Sequence, residues 1–247
     1  MKKFFSSLFI AFTLLISSVT QADTFDRGLE QLNRGEFNEA HKIFTRLSDV
    51  GFAPAQYQLA MIYQNGYGRI QKNLSKTFEL LTLSAAQNFT DAQFALAVMY
   101  TEGKVVTKDL NKAFKLTKKS ADKKLDSAQF NLGVMYYKGQ GVDKNFTQAA
   151  NWYMRAAKQN NARAQFNLAL LYFEGKGVDR STENSYIWNT IAAYNNYKDA
   201  GKSRDMDAHQ MSKMQVNLSH KEADRLYFSI IEQQQINAKK LLNKYVY

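Results

Sequence analysis

One string of residues recurs four times along this chain: Ala55-Gln-Tyr-Gln-Leu59-Ala-Met-Ile-Tyr63, Ala92-Gln-Phe-Ala-Leu96-Ala-Val-Met-Tyr100, Ala128-Gln-Phe-Asn-Leu132-Gly-Val-Met-Tyr136 and Ala164-Gln-Phe-Asn-Leu168-Ala-Leu-Leu-Tyr172. The copies stand 37, 36 and 36 residues apart. Self-similarity at such a period means one supersecondary unit per copy, each burying its apolar face only by stacking on a neighbour. Ala55, Leu59 and Tyr63 fall within about 80° of one another on a helix, a single apolar stripe. Ala60, Ala97, Gly133 and Ala169 sit beside it, small enough to let a second helix approach. A turn follows each string, Gly66-Tyr-Gly68, Gly103-Lys-Val105, Gly139-Gln-Gly141 and Gly175-Lys-Gly177, and its first glycine stands where a left-handed residue ends a helix without a Cβ penalty. The stretches after the turns repeat too. They carry Thr77, Ala113, Ala149 and Ser185, then Leu80, Leu116, Trp152 and Trp188, then the small pairs Ser84-Ala85, Ser120-Ala121, Ala156-Ala157 and Ala192-Ala193. The periodicity predicts four helix–turn–helix units.

Composition agrees with a helical chain, since one Pro and 12 Gly in 247 residues leave little punctuation for many short strands. With no Cys there are no disulfides, thiol nucleophiles or thiolate metal sites. His41, His209 and His220 stand far apart in the sequence and do not suggest an imidazole cluster. No Gly-x-Ser-x-Gly, His-Glu-x-x-His or repeat-independent carboxylate pair offers a nucleophile with its base. The turn glycines recur with the repeat, which explains them without a phosphate ligand. An enzyme, a metal and a cofactor are therefore not expected.

The string Ala128 to Val142 followed by Gln148-Ala149-Ala150-Asn-Trp152-Tyr-x-x-Ala156-Ala157 resembles the Sel-one-like repeat (SLR), a relative of the tetratricopeptide repeat. The resemblance spans residues 54–197 as four repeats. Residues 23–53 resemble an N-terminal tetratricopeptide-like unit turning at Gly35, with Ala40 in register with Thr77 and Ala113. Ile70 and Val105 depart from the turn pattern. A fifth repeat would begin its stripe at Ala200, but Arg204 and Ala208 stand where Leu and Tyr are due, so residues 198–247 read as C-terminal capping helices, 198–214 and 219–245. The second carries Leu226, Tyr227, Ile230, Ile231, Leu241, Leu242 and Tyr245, and Ser219 with Glu222 resembles its capping box. The implied fold is all-α, a right-handed superhelical α/α solenoid of SLR and tetratricopeptide-like helix pairs.

Residues 1–22 read as a secretory signal peptide: Lys2 and Lys3, an uncharged apolar stretch through Val19, and small residues at Thr20 and Ala22 ahead of Asp23. Cleavage after Ala22 is expected, with a periplasmic destination. The apolar stretch is short of the ~20 residues of a membrane span. Loss of two lysines takes the formal charge from +11 to 11 − 2 = +9. That balance suits an acidic partner, and export removes nucleic acid from consideration.

Two surface features rise above the repeat. Lys108, Lys112, Lys115 and Lys119 recur at helical spacing in the second repeat, a candidate face for an anionic envelope glycan, lipid or protein, or simply a solvated helix face. The other is a second apolar face on the first helices, at Tyr57, Phe94, Phe130, Tyr137, Phe166 and Phe173, set roughly 180–200° from the alanine that opens each stripe. By resemblance to the tetratricopeptide repeat these rings line the concave face and hold a protein partner in the cell envelope; packing between adjacent repeats is the other reading. Bacterial relatives implied by the resemblance include type VI secretion accessory factors and periplasmic immunity proteins.

Overall fold

The computed structural model describes residues 20–244, and among them regular structure is helical apart from one isolated bridge between Tyr67 and Ile70. Twelve helices follow in order: α1 (residues 20–33), α2 (Phe37–Asp49), α3 (Ala53–Asn65), α4 (Leu74–Ala86), α5 (Thr90–Glu102), α6 (Leu110–Asp122), α7 (Asp126–Lys138), α8 (Phe146–Ala157), α9 (Ala162–Glu174), α10 (Thr182–Tyr194), α11 (Ala200–Ala208) and α12 (Lys213–Lys244). The chain divides into two compact units, one ending at Asp109 and one beginning at Leu110. In the first, α2, α3, α4 and α5 pack in sequence; in the second, α6 to α10 do so, and α10 also receives α11 and α12.

Each repeat is built by the same few interactions. The stripe is the core: Ala55, Leu59, Ala92, Leu96, Ala128, Leu132, Ala164 and Leu168 are all buried. Gly103, Gly139 and Gly175 cap α5, α7 and α9 in the left-handed conformation, as the spacing predicts. The chain then folds back, and the N–H of the residue before each second helix donates to the carbonyl of the last stripe residue: Asn73 to Tyr63 (2.8 Å), Asp109 to Tyr100 (3.0 Å), Asn145 to Tyr136 (2.9 Å) and Ser181 to Tyr172 (2.9 Å). Asn73, Asn145 and Ser181 also cap α4, α8 and α10 with their side chains. At the joints between repeats Asn88, Lys124, Asn160 and Asn196 adopt positive φ. Asparagine tolerates that region better than lysine, so Lys124→Asn is expected to raise stability by up to about 1 kcal/mol in urea unfolding.

The seams are polar at one repeated point. Gln93, Gln129 and Gln165 are buried and donate to the carbonyls of Ala85, Ala121 and Ala157 in the preceding helix, at 3.3, 3.2 and 3.1 Å. The Oε1 atoms of Gln56, Gln129 and Gln165 accept from Gln87, Gln159 and Asn195. A tolerance appears within repeats as well. A Cβ at Gly133 would lie 2.5 Å from the Tyr153 ring, and the other repeats combine Ala60, Ala97 and Ala169 with the smaller Leu81, Thr117 and Asn189 in register with that tyrosine.

Gly141 and Gly177 serve a close approach. A Cβ there would lie 2.1 Å from the Leu110 carbonyl oxygen and 2.2 Å from the Phe146 carbonyl carbon, respectively. Val105 carries a Cβ in that register, so the turn after α5 takes a different path. Ile70 instead closes a short bridge with Tyr67, around Gly68 at φ 59°.

At the N-terminal side, Phe25 on α1 packs against Phe44 and Phe52 with ring centroids 5.6 and 5.5 Å apart, and Ala40 is buried, in register with buried Thr77 and Ala113. Residues 1–19 of the expected leader lie outside the described residues, as do Tyr245 and the side chains of Leu241 and Leu242. The C-terminal boundaries differ from expectation. The last helix begins at Lys213, not 219, and the capping box is Ser212 with Gln215: the Ser212 N–H donates to the Gln215 side chain (2.9 Å) and the Gln215 N–H to the Ser212 hydroxyl (3.2 Å). Ser219 is buried inside the continuous helix, and Glu222 pairs with Arg225 at 2.6 Å.

Candidate functional site

All six rings of the second apolar face are partly buried. Phe130 and Tyr137 pack against the core of the second unit, Phe130 also 5.9 Å from the Tyr153 ring and Tyr137 5.3 Å from the Phe146 ring. Tyr57 meets Phe89 at 5.4 Å, and Phe166 stacks on Tyr197 at 4.7 Å. Phe94 is partly buried on α5. Phe173 lies beneath the Arg180 guanidinium, 5.8 Å from the ring centroid. Each ring therefore spends part of its surface on its own fold.

The lysines do not form one helical row. Lys112, Lys115 and Lys119 are exposed on α6, opposite the buried Ala113, Thr117, Ser120 and Ala121. Lys108 precedes the helix; its Cα and Cβ lie against Gly103 in the turn. The spacing was misleading there because Leu110 is the first helical residue.

Phe166 and Phe173 come together with Leu170, Met206, Ser185, Asn189, Ser203 and Asp207 around an open cavity of about 160 Å³ between α9, α10 and α11. Leu170 and Met206 are 40% and 57% exposed at its apolar side. The polar side is buried: Asp207 is 2% exposed, Asn189 3% and Ser185 1%. The Ser185 hydroxyl and the Asn189 Nδ2 both donate to Asp207 Oδ2, at 2.8 and 2.9 Å. Burial pushes the Asp207 carboxyl above the usual carboxylate range, while the bonds from Asn189 and Ser185 pull it back down. The folded chain thus holds this proton more tightly than the unfolded one. The resulting stabilisation is complete below the ordinary aspartate range and is lost as pH rises through the raised value.

Sequence reasoning missed this cluster, although a signal was present. Asp207 stands 36 residues after Leu171, in a register where Ile62, Met135 and Leu171 are buried apolar residues. Asn189 stands in register with Tyr153 and Leu81.

A second polar group joins α10 to α12. The His220 ring meets the Tyr186 hydroxyl at Nδ1 (3.2 Å) and the Tyr194 hydroxyl at Nε2 (3.4 Å), and Tyr194 donates to Asp224 at 2.6 Å. Burial, with Asp224 beside it, pushes the Tyr194 hydroxyl up to about 12. These bonds fasten the last helix to the repeats.

A family model for the Sel1 repeat matches residues 53–89, 90–125, 126–161 and 162–197, each span holding one pair from α3–α4 to α9–α10. Among solved structures, c5321, a protective antigen of uropathogenic Escherichia coli with an SLR fold, is 27% identical, with a TM-score of 0.76 over 91% of this chain and 48% of that one. This chain thus spans about half the length of that antigen. A Sel1 repeat protein from Oxalobacter formigenes is 26% identical, with a TM-score of 0.62 over 66% of this chain and 67% of that one. A Sel1 repeat protein from Klebsiella pneumoniae shares the fold at 14% identity, with a TM-score of 0.52 over 76% of this chain and 93% of that one. No curated protein matches the chain.

Proposed function

Because this chain belongs to the Sel1 repeat family, we propose that it is an exported, non-enzymatic scaffold that holds a protein partner in the periplasm. One observation carries the reading: the aromatic face of α9 ends in an open, apolar-sided cavity where Leu170 and Met206 remain exposed. Large apolar groups left at the surface beside a pocket mark a contact for another macromolecule rather than core. Secretion accessory factor and effector-immunity protein are the concrete forms of this role. The test uses protein recovered from the envelope, whose intact mass is expected to start at Asp23. Phe173→Ala is expected to weaken capture of the wild-type partner about 10- to 100-fold with the melt preserved. Undiminished capture by the folded variant would remove α9 from the interface.

A second reading is favoured by the exposed Lys112, Lys115 and Lys119 on one face of α6: contact with an anionic envelope glycan or lipid. Salt discriminates the two, since screening weakens an exposed charge contact steeply and an apolar one little.

A further inference from the structure

The floor of the α9–α10–α11 cavity is chemically unbalanced. Asp207 takes both of its described hydrogen bonds, from Ser185 and Asn189, on the same oxygen, Oδ2, and both donors are neutral. Asn189 Oδ1 is buried with no hydrogen-bond partner. Turning the amide over does not repair this, because Oδ1 would then face the Asp207 carboxylate in place of Nδ2. Ser185 gives Asn189 Nδ2 only a longer second contact, 3.4 Å. A fold needing no guest has the apolar solution at this register in Ile62, Met135 and Leu171. Here a carboxylate and an unpaired amide oxygen occupy buried positions instead, which is unfavourable until a donor arrives.

The missing guest is defined by what surrounds it. The Asp207 carboxylate, which lines the cavity and is bonded only by neutral donors, calls for a donor with positive charge. Phe166, Leu170 and Phe173 form an apolar wall suited to methylenes. Leu170 and Met206 extend that wall out to solvent, so the guest continues beyond the cavity onto a larger body. We propose that this cavity is a socket for a lysine or arginine side chain of a protein partner, its cationic head donating to the Asp207 carboxylate and its methylenes lying along the apolar wall. This rests on the protein-binding reading and names the side chain that anchors it.

The experiment titrates the 15N-labelled mature chain with N-acetyl-arginine methylamide and N-acetyl-lysine methylamide, following the Asn189 side-chain amide and the backbone signals of α11. N-acetyl-norleucine methylamide, neutral and of similar shape, is the control, and butylguanidinium supplies the cation without a peptide unit. Saturable shifts confined to the cavity are expected with the capped arginine or lysine, and none with norleucine. Asp207→Asn, close in shape and checked by its melt, is expected to weaken binding at least tenfold. Lys119→Ala on α6 is expected to change nothing. Equal binding of norleucine, or an Asp207→Asn chain that binds as before, would overturn the socket. Butylguanidinium binding more tightly than capped arginine would overturn the assignment to a side chain. The probes need no natural partner, so the two readings fail separately. Capped arginine bound by a chain that captures no envelope protein upholds the socket chemistry and brings down the protein-binding role; capture indifferent to Asp207→Asn does the reverse.

Discussion

Gly177→Ala is expected to lower the unfolding free energy by about 3–5 kcal/mol. Two effects combine. At φ 73° an alanine pays the left-handed penalty of roughly 1–2 kcal/mol. Its Cβ would also stand 2.2 Å from the Phe146 carbonyl carbon and 2.5 Å from the Thr147 nitrogen, backbone atoms that cannot swing aside. The turn after α9 would have to lift from the start of α8. Gly68→Ala is the internal control: its φ is 59°, with open space around the new methyl, so only the conformational penalty of roughly 1–2 kcal/mol is expected. Urea unfolding of the pair reads the difference, and equal losses would mean the close approach at Gly177 contributes nothing.

Leu132→Ala is expected to remove about 2–5 kcal/mol. Leu132 is fully buried on α7, which packs against both α6 and α8. Truncation leaves a cavity lined by two helices, and in a repeat array the loss extends to the neighbours' stacking. Leu83→Ala, at a leucine 47% exposed on α4, is expected to stay within about 0.5 kcal/mol. Thermal melts showing the same shift for both would refute the repeat register.

The repeat carried most of the fold into the sequence. A period near 36 placed the helix pairs, the buried stripe and the turn glycines, because each of these positions faces the same neighbour in every copy. The C-terminal end was harder to read. Two capping strings, Ser212-Lys-Met-Gln215 and Ser219-His-Lys-Glu222, compete there. Only the chain's exit from α11 makes the first the true start, leaving Ser219 to be buried against the repeats. Lys108 misled for a related reason, since spacing carries no mark of where a helix begins. The six aromatic positions were found, but the share of each ring covered by its neighbours depends on partners such as Tyr197 and Arg180, which lie outside the repeated string. Asp207 was hidden by the opposite bias. Once Arg204 and Ala208 broke the pattern, the rest of α11 looked like the end of the array and not like a place where core positions had turned polar.

The pairing of Gly133 with Tyr153 sits wholly inside one repeat, whereas the buried glutamines bond across from one repeat to the next. Size differences are settled within a unit, and the chemistry that crosses a seam is nearly uniform. A copy of residues 126–161 inserted beside itself would bring its own accommodation of Tyr153 and meet familiar glutamine contacts on either side. Duplication and loss of whole units are therefore gentle events for such a gene, while exchange of half a unit is not. The segment beyond the fourth repeat, where Asp207 sits on α11, answers to no following copy and is free of that constraint.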